Sequence, residues 1–224
     1  MSKDAAVKKK SSPAAGIIKD TLIIFAITLI AGLVLGFVYE LTKEPIETQK
    51  MAKQAAACSE VFKEADENGN LTDVVKLSFE EIPVSETALA SVSGNSDVKA
   101  TVTEVYEATT NDGKRYGYVI AVETSEGYGG NIRFYMGVTM DEILKGISIL
   151  EIHETPGLGM RASEVLTPQF RNVAGPEFTV TKSGKTNDSE IDAITSATIT
   201  SKAVTRGVNF GMKYFKAMQE GGVQ

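Results

Sequence analysis

The sequence predicts an α+β fold: a single N-terminal transmembrane helix, followed by an exported domain in which helices pack on an antiparallel β-meander. Three observations support this prediction. Residues 21–39 carry no charge, residues from about 100 to 153 alternate between apolar and polar side chains, and residues 204–218 repeat apolar side chains at helical spacing. These observations divide the chain into a basic tail over 1–20, the membrane helix over 21–41, a helical and loop lead-in over 42–99 and a core over 100–218.

The membrane helix is predicted from the uncharged stretch Thr21–Tyr39. As a helix, this stretch would be about 28 Å long, close to the thickness of the hydrocarbon core of a bilayer. A cleaved signal peptide has a shorter apolar core, about 7–15 residues, that ends in small residues. Here the run is longer and ends at Tyr39, which predicts a retained anchor in contact with membrane lipid.

The charge distribution predicts the orientation of the anchor. Residues 1–20 contain five lysines and two aspartates, a net charge of +3, so the remainder carries −9 of the total of −6. Because flanks rich in Lys and Arg stay in the cytoplasm, the N-terminus is expected there and residues 41–224 on the extracytoplasmic side of the cell (inner) membrane. The acidic balance also argues against a nucleic-acid partner.

The lead-in is predicted to be helical. Thr42–Pro45 is expected to end the membrane helix, since proline disrupts helical hydrogen bonding, and a second helix is expected over 47–64. Residues 66–70 predict a turn. Calcium binding is not expected there, because Leu71 stands where a calcium loop needs its glycine and no glutamate follows at the required position. Residues 84–99 predict a loop or a short helix.

The core is predicted to contain four strands, at about 102–107, 116–123, 132–140 and 146–152. Asn111-Asp112-Gly113 is a hairpin turn signal between the first two, and the alternation in the third predicts a half-buried strand. The last helix presents an apolar face, with Thr200 or Ser201 expected as its N-cap and Gly221-Gly222 as its end. The apolar positions of that face are Val204, Val208, Gly211, Phe215 and Met218.

The scarcity of metal ligands excludes several kinds of redox centre. The chain has one cysteine, Cys58, and one histidine, His153. A structural zinc site requires about four ligands, and iron–sulfur clusters require several thiolates, so neither site is expected here. A disulfide within the chain is excluded as well. Redox chemistry would therefore require a bound organic cofactor, and Cys58 is predicted to be a plain thiol.

Two short stretches suggest a binding site. The first, His153–Gly159, follows a strand and contains a rigid proline and two glycines, so its backbone N–H groups can approach a flat or anionic ligand. An ordinary strand-to-helix turn explains the same composition. The second, Asp192–Ser201, is rich in hydroxyls and leads into the last helix, where a phosphate would meet free N–H groups. A capping segment explains it equally well from the residues alone.

In their order and spacing, these stretches resemble the covalent-FMN family of the Rnf electron-transport complex, RnfG, to which NqrC of the sodium-pumping NADH:quinone reductase is related. The family's attachment motif matches Asp192 followed by Thr195-Ser196-Ala197-Thr198. Its Glu-Thr-Pro-Gly-Leu-Gly run matches Glu154–Gly159, and its upstream glycines match residues 127–130. The resemblance covers about residues 100–215 and identifies the core as an FMN-binding domain.

The resemblance implies that FMN is linked to the Thr198 oxygen by a phosphoester. A dedicated flavin transferase would make this link from FAD after recognising Asp192. Thr195, Ser196 and Ala197 would surround the phosphate, and no residue would be a turnover catalyst. The residues implied to line or approach the flavin are Glu154, Thr155, Gly157, Leu158, Gly159, Gly129 and Gly130. Ser196 departs from the commoner glycine, so the loop is expected to bend differently there.

The implied function is electron relay within a ferredoxin:NAD-type oxidoreductase that couples electron transfer to ion transport. Its partners would be the other membrane and peripheral subunits of that complex, and the chain alone would show little turnover. Two alternatives stay open: the equivalent subunit of a sodium-pumping NADH:quinone reductase, and a non-redox exported binding or scaffold module. His153 is interpreted as a bystander, and Lys202 and Arg206 as solvated residues unless they help to hold the phosphate.

Overall fold

The computed structural model describes residues 13–65, 71–73, 75–175 and 177–221. The predicted turn at 66–70, the first twelve residues of the basic tail and Gly222 lie outside these ranges. The chain divides into two compact units, with the boundary between Ala52 and Lys53. The domain limits expected at residues 20, 41 and 99 stay predictions.

The first helix, α1, spans Pro13–Glu60. Its segment Gly16–Ile46 contains an 18-residue window of mean hydropathy 2.7, none of which is buried. This segment is long and apolar enough to cross a membrane. It contains the whole of the predicted membrane helix.

The prediction that α1 ends near Pro45 is wrong, because the helix continues through this proline. Proline removes one backbone donor, but full helical turns lie on both sides of it. Two threonine hydroxyls also donate to nearby helix carbonyls: Thr42 Oγ1 to the Val38 oxygen at 2.8 Å and Thr48 Oγ1 to the Glu44 oxygen at 2.9 Å. The helix thus continues although Pro45 cannot donate the bond to the Leu41 carbonyl.

The described strands are, in chain order, β1 Glu64–Ala65, β2 Leu71–Thr72, β3 Leu77–Ile82, β4 Ala100–Thr110, β5 Arg115–Thr124, β6 Ile132–Thr139, β7 Leu144–Ile152, β8 Thr179–Thr181 and β9 Glu190–Asp192. Strands β3 to β7 form one antiparallel sheet in sequential order. The four predicted strands and the hairpin turn are confirmed, with Gly113 at a φ of +73°. The edge strand β3 was missed because Glu81 stands where the alternation that starts at Leu77 and Phe79 needs an apolar residue.

The remaining helices are α2 Glu86–Gly94, α3 Ala162–Val165 and α4 Thr198–Glu220, with 3-10 turns at Gly159–Arg161 and Thr167–Phe170. The predicted apolar face of α4 is buried against one face of the sheet. The approach is close at Gly211, where a Cβ would lie 2.2 Å from Met136 Sδ. Gly221 caps the helix, as predicted for that residue.

The prediction that β6 is half-buried is wrong, since both of its faces are covered. Phe134 and Met136 belong to the cluster beneath α4, whereas Tyr135 belongs to a second cluster with Val61 and Phe62. A Cβ on Gly137 would lie 2.8 Å from Val61 Cγ2. The alternating pattern did not show that residues following α1 cover the outer face of the sheet.

Cys58 lies in the same second cluster as a buried free thiol. Burial, reinforced by the nearby Glu104 charge, raises the pKa of the Cys58 thiol to about 12. Because the thiolate is the reactive form, this cysteine is held in its unreactive state.

Candidate functional site

Three separate segments meet around a cavity of about 570 Å³. They are the β5–β6 loop, the loop that follows β7, and the start of α4. This volume lies within the range of about 300–1,000 Å³ that is typical of ligand sites. The lining residues are Tyr128, Glu154, Thr155, Leu158, Gly159, Ser196, Ala197, Thr198, Ile199 and Thr200. The two stretches that the sequence singled out therefore form one site.

The loop after β7 turns sharply before the 3-10 turn at Gly159–Arg161. Gly157 adopts a φ of +75°, and the Thr155 oxygen accepts bonds from the backbone N–H groups of Leu158 at 3.1 Å and Met160 at 3.3 Å. These bonds leave Thr155 and Leu158 exposed on the cavity wall. His153 is exposed, and the cavity-lining residues do not include it.

Glu154 joins this loop to the loop between β5 and β6. Its side chain is buried, and its Oε1 accepts a hydrogen bond from the Tyr128 N–H at 2.7 Å. A Cβ would lie 2.8 Å from Oε1 if added to Gly127, and 2.9 Å from Oε2 if added to Gly159. These two glycines therefore leave room for the carboxylate, a role that the sequence did not indicate.

The prediction that Thr200 or Ser201 caps the last helix is wrong. Helix α4 begins at Thr198, and both predicted caps are buried inside its first turn. Ser201 Oγ instead accepts from the Ile194 N–H at 2.9 Å and donates to the Ala197 oxygen at 3.0 Å. Its hydroxyl thus ties the preceding loop to the helix.

The N-terminus of α4 faces the cavity without a side-chain cap. Ala197 occupies the cap position and makes no side-chain hydrogen bond, while Thr198, Ile199 and Thr200 line the cavity. The first N–H groups of a helix have no partner within the helix, and the helix dipole places positive potential there. This end of the cavity is suited to an anionic group such as a phosphate.

Ser196 has a φ of +63°, in the left-handed region that favours glycine. This is the position at which the chain departs from the commoner glycine. The loop therefore adopts a left-handed conformation despite the serine, at a cost of about 1 kcal/mol. The Ser196 side chain is exposed.

The structure places the other predicted residues around the cavity in different ways. Thr195 and Gly157 are exposed beside the cavity-lining residues. Gly129 supports the site through its backbone, since a Cβ there would lie 1.9 Å from the His153 oxygen. Gly130 adopts a φ of +144° in the same loop.

Ile199, Thr200 and Gln169 were not predicted as site residues, whereas Tyr128 lies within the stretch 127–130 that the resemblance placed near the flavin. Tyr128, Ile199 and Thr200 line the cavity, and the exposure of Tyr128 at 72% places an aromatic ring at its rim. Gln169 holds Asp192 from below: its Oε1 accepts from the Asp192 N–H at 2.7 Å, and its Nε2 donates to the Asp192 oxygen at 3.2 Å. The aromatic residue between glycines was a usable signal in the sequence. No local pattern could indicate the contact between Gln169 and Asp192, which lie 23 residues apart in the chain.

Arg206 is engaged outside the cavity. Its guanidinium pairs with Asp97 at 3.1 Å and with Glu126 at 2.9 Å. Neither Arg206 nor Lys202 is among the cavity-lining residues. The hypothesis that these cations hold a phosphate receives no support, and Arg206 instead fixes Glu126 at the start of the β5–β6 loop.

Family comparisons define the class of protein. A family model of the FMN-binding domain matches residues 127–213, which hold all three cavity segments, and a model of the RnfG N-terminal region matches residues 14–61. The chain is thus similar to proteins that contain an FMN-binding domain.

The relatives identify the family within that class. The chain is 31% identical over 206 residues to the G subunit of the Na(+)-translocating ferredoxin:NAD(+) oxidoreductase complex of Acetobacterium woodii, covering 91% of this chain and 94% of that one. It is 33% identical over 198 residues to the G subunit of the proton-translocating ferredoxin:NAD(+) oxidoreductase complex of Clostridium ljungdahlii, covering 85% and 90%. The chain belongs to the RnfG family, whose members are subunits of these ion-translocating oxidoreductase complexes.

A solved structure gives a weaker match. The crystal structure of Shewanella oneidensis NqrC aligns at 20% identity and a TM-score of 0.44, covering 52% of this chain and 61% of that one. The family assignment rests on the sequence relatives instead.

Proposed function

We propose that this chain is a membrane-anchored electron-relay subunit of a ferredoxin:NAD(+) oxidoreductase complex, and that it carries FMN in the cavity, joined to Thr198 Oγ1 by a phosphoester. The single observation that carries this proposal is the convergence of two motifs, far apart in sequence, on one cavity with Thr198 at its uncapped helix end. Membership of the RnfG family supports the assignment to that complex.

The residues of the cavity fit FMN at both of its chemical ends. The uncapped N-terminus of α4 suits the phosphate, and exposed apolar side chains suit a flat aromatic ring. The three such residues on the lining are Tyr128, Leu158 and Ile199. When bound, the flavin would supply the electron-accepting chemistry. The chain's residues would hold the group and orient it.

Thr198 would act once, during maturation. Its Oγ1 would form a bond to phosphorus while the pyrophosphate bond of FAD breaks, with AMP as the leaving group and the hydroxyl proton passing to the transferase. We propose that the transferase recognises Asp192, whose backbone Gln169 holds in place. Because Thr195 and Ser196 are exposed, the segment is accessible to such an enzyme.

A covalent link has a physical advantage on the extracytoplasmic side, where we place residues 41–224 from the charge of the basic tail. A flavin that dissociated there would leave the cytoplasmic pool. A phosphoester makes retention independent of affinity, so the ring can stay exposed to redox partners among the other subunits. The apolar segment of α1 would hold the chain against membrane lipid.

The attachment is tested by in-gel fluorescence. Membranes from cells with an active flavin transferase are run on a denaturing gel, where the wild-type chain should fluoresce near 24.0 kDa. Thr198→Val should abolish the band, because valine keeps the shape of threonine but has no hydroxyl. The matched control is Thr101→Val, at an exposed threonine of β4 that does not line the cavity, and this variant should stay fluorescent. A dark wild-type band, or a fluorescent Thr198→Val band, overturns the attachment.

The relay role is tested on the intact complex. Ferredoxin-dependent NAD reduction is measured for complexes with the wild-type chain, with Thr198→Val, and without this subunit. Both altered complexes should lose this activity, because electrons would have no path through the chain. Full activity in the complex that lacks only this chain would contradict the role.

A further inference from the structure

Glu154 is a buried carboxylate without a counter-charge. The residue is 8% exposed, and among the residues whose burial is described it is the one charged residue that is buried. No ion pair joins it to a lysine or arginine in the described part of the chain. The contrast with Glu126 in the β5–β6 loop is direct, because Arg206 pairs with Glu126 at 2.9 Å.

The hydrogen bonding of Glu154 is also incomplete. Oε1 accepts from the Tyr128 N–H at 2.7 Å, and this is the one hydrogen bond to the carboxylate within the described ranges. Oε2 lies against Gly159, on the side where Thr200 Oγ1 also approaches that glycine. Since a carboxylate offers about four acceptor positions, most of its capacity remains for a ligand.

Burial of a charge with so few partners is costly. The positive end of the α4 dipole offsets part of the cost, but a hydrophobic or amide side chain would avoid it altogether. Such a cost is expected where the charge acts on a ligand. The glycines at 127 and 159, which leave room for the two oxygens, show that the surrounding backbone accommodates this carboxylate.

We propose that the Glu154 carboxylate lowers the reduction potential of the flavin held in the cavity, acting as a negative charge on the cavity wall without a cationic side chain beside it. This inference rests on the proposed function. Glu154 is one of the residues that line the cavity, so its charge lies beside a ligand that fills the cavity. An electron that enters the cavity adds negative charge beside Glu154, and the repulsion is weakly screened there because the carboxylate is buried.

The test compares reduction potentials of full-length protein that was flavinylated in cells and purified in detergent. Glu154→Gln keeps an oxygen that can accept from the Tyr128 N–H but removes the charge. We expect the equilibrium constant for one-electron reduction of the flavin to be at least tenfold larger in this variant. A tenfold change corresponds to a rise of about 59 mV in the reduction potential. The matched control is Glu151→Gln, which removes the same charge from an exposed position three residues earlier and should shift the constant less than twofold.

Glu154→Asp provides a second variant that keeps the charge but shortens the side chain. If the charge sets the potential, this variant should stay within threefold of the wild-type constant. Should Glu154→Gln carry no flavin, Glu154→Ala replaces it as the variant without the charge: a rise of the constant by at least tenfold supports the inference, and an unchanged constant overturns it.

The two proposals fail in different ways. A wild-type chain without fluorescence overturns the proposed function, and this inference with it. A fluorescent wild type whose potential is unchanged in Glu154→Gln overturns the inference alone. A potential that moves equally in Glu154→Gln and Glu151→Gln also overturns it, because the effect would then not depend on burial beside the ligand.

Discussion

Glu104 and Glu154 lie in two different regions of the molecule, and they differ in how many protein groups bond their carboxylates. On the outer face of the sheet, Glu104 accepts bonds from Arg133 Nη2 at 2.6 Å, Tyr135 Oη at 2.6 Å and Tyr106 Oη at 3.1 Å. In the cavity, Glu154 has the Tyr128 N–H at 2.7 Å. Three side chains donate to the first carboxylate, whereas the second has one hydrogen-bond partner in the described part of the chain.

The difference implies that the two carboxylates contribute differently to stability and function. The Glu104 network joins β4 and β6 beneath the end of α1, so its loss should unfold the domain more easily. Substitutions of Glu154 should change the stability of the domain little and should instead change the properties of the bound ligand. The following substitutions and conditions test this contrast.

Glu104→Ala should have the largest effect, a fall of about 3 kcal/mol in the free energy of unfolding, because it leaves the Arg133 charge and two tyrosine hydroxyls without their partner. Denaturant unfolding of the purified chain measures it. The matched control is Glu107→Ala on the same strand, whose partner Arg115 is 44% exposed at the side chain. That change should cost less than about 1 kcal/mol, and equal losses in the two variants would contradict the contrast.

A lower pH should have the second-largest effect, because it weakens the hydrogen-bond network around Glu104. Burial raises the pKa of Glu104, but the hydrogen bond from Tyr135 and the charge of Arg133 outweigh burial and hold that pKa below its usual range. The stabilisation is therefore complete above the ordinary glutamate pKa of about 4.3 and is lost as the pH falls through the lower folded value.

The acid effect is measured as the unfolding free energy of wild type and Glu104→Gln between pH 7 and the acid range. The difference between them should shrink as the pH falls, since the wild type loses what the variant already lacks. A difference that is constant with pH would mean that the Glu104 charge is not the stabilising element.

Glu154→Ala should change the free energy of unfolding by no more than about 1 kcal/mol, because two effects oppose each other. The variant loses the hydrogen bond from the Tyr128 N–H, but it also loses a buried charge without a cationic partner. The same denaturant titration measures it. A loss as large as that for Glu104→Ala would show that the cavity carboxylate is structural, and the contrast between the two regions would fail.

Ser196→Gly should have the smallest effect, a stabilisation of up to about 1 kcal/mol, because glycine adopts the φ of +63° without strain. Thermal unfolding measures it. Thr195→Gly is the control, since Thr195 is not among the residues with positive φ, and it should destabilise slightly. Destabilisation by Ser196→Gly would show that the serine side chain contributes a contact that outweighs the backbone strain.

Much of the fold was predictable because the signals are local. The uncharged run, the alternation in β4 to β7 and the apolar face of α4 each follow from the period of one element. The errors arose where a distant segment decides the outcome. β6 is buried on both faces because Val61 and Phe62 cover its second side, and α4 begins at Thr198 because Ser201 bonds to the preceding loop.

The sequence by itself determined an apolar run long enough to cross a membrane, a lone cysteine and histidine, and two short motifs, one rich in glycine and one rich in threonine. These properties depend on residue type and short-range spacing. Only the tertiary structure decided that the motifs share one cavity, that Gly127 and Gly159 make room for Glu154, and that Arg206 turns away to Glu126. The physical reason is that packing and electrostatic pairing depend on distances in space, which elements far apart in sequence establish together.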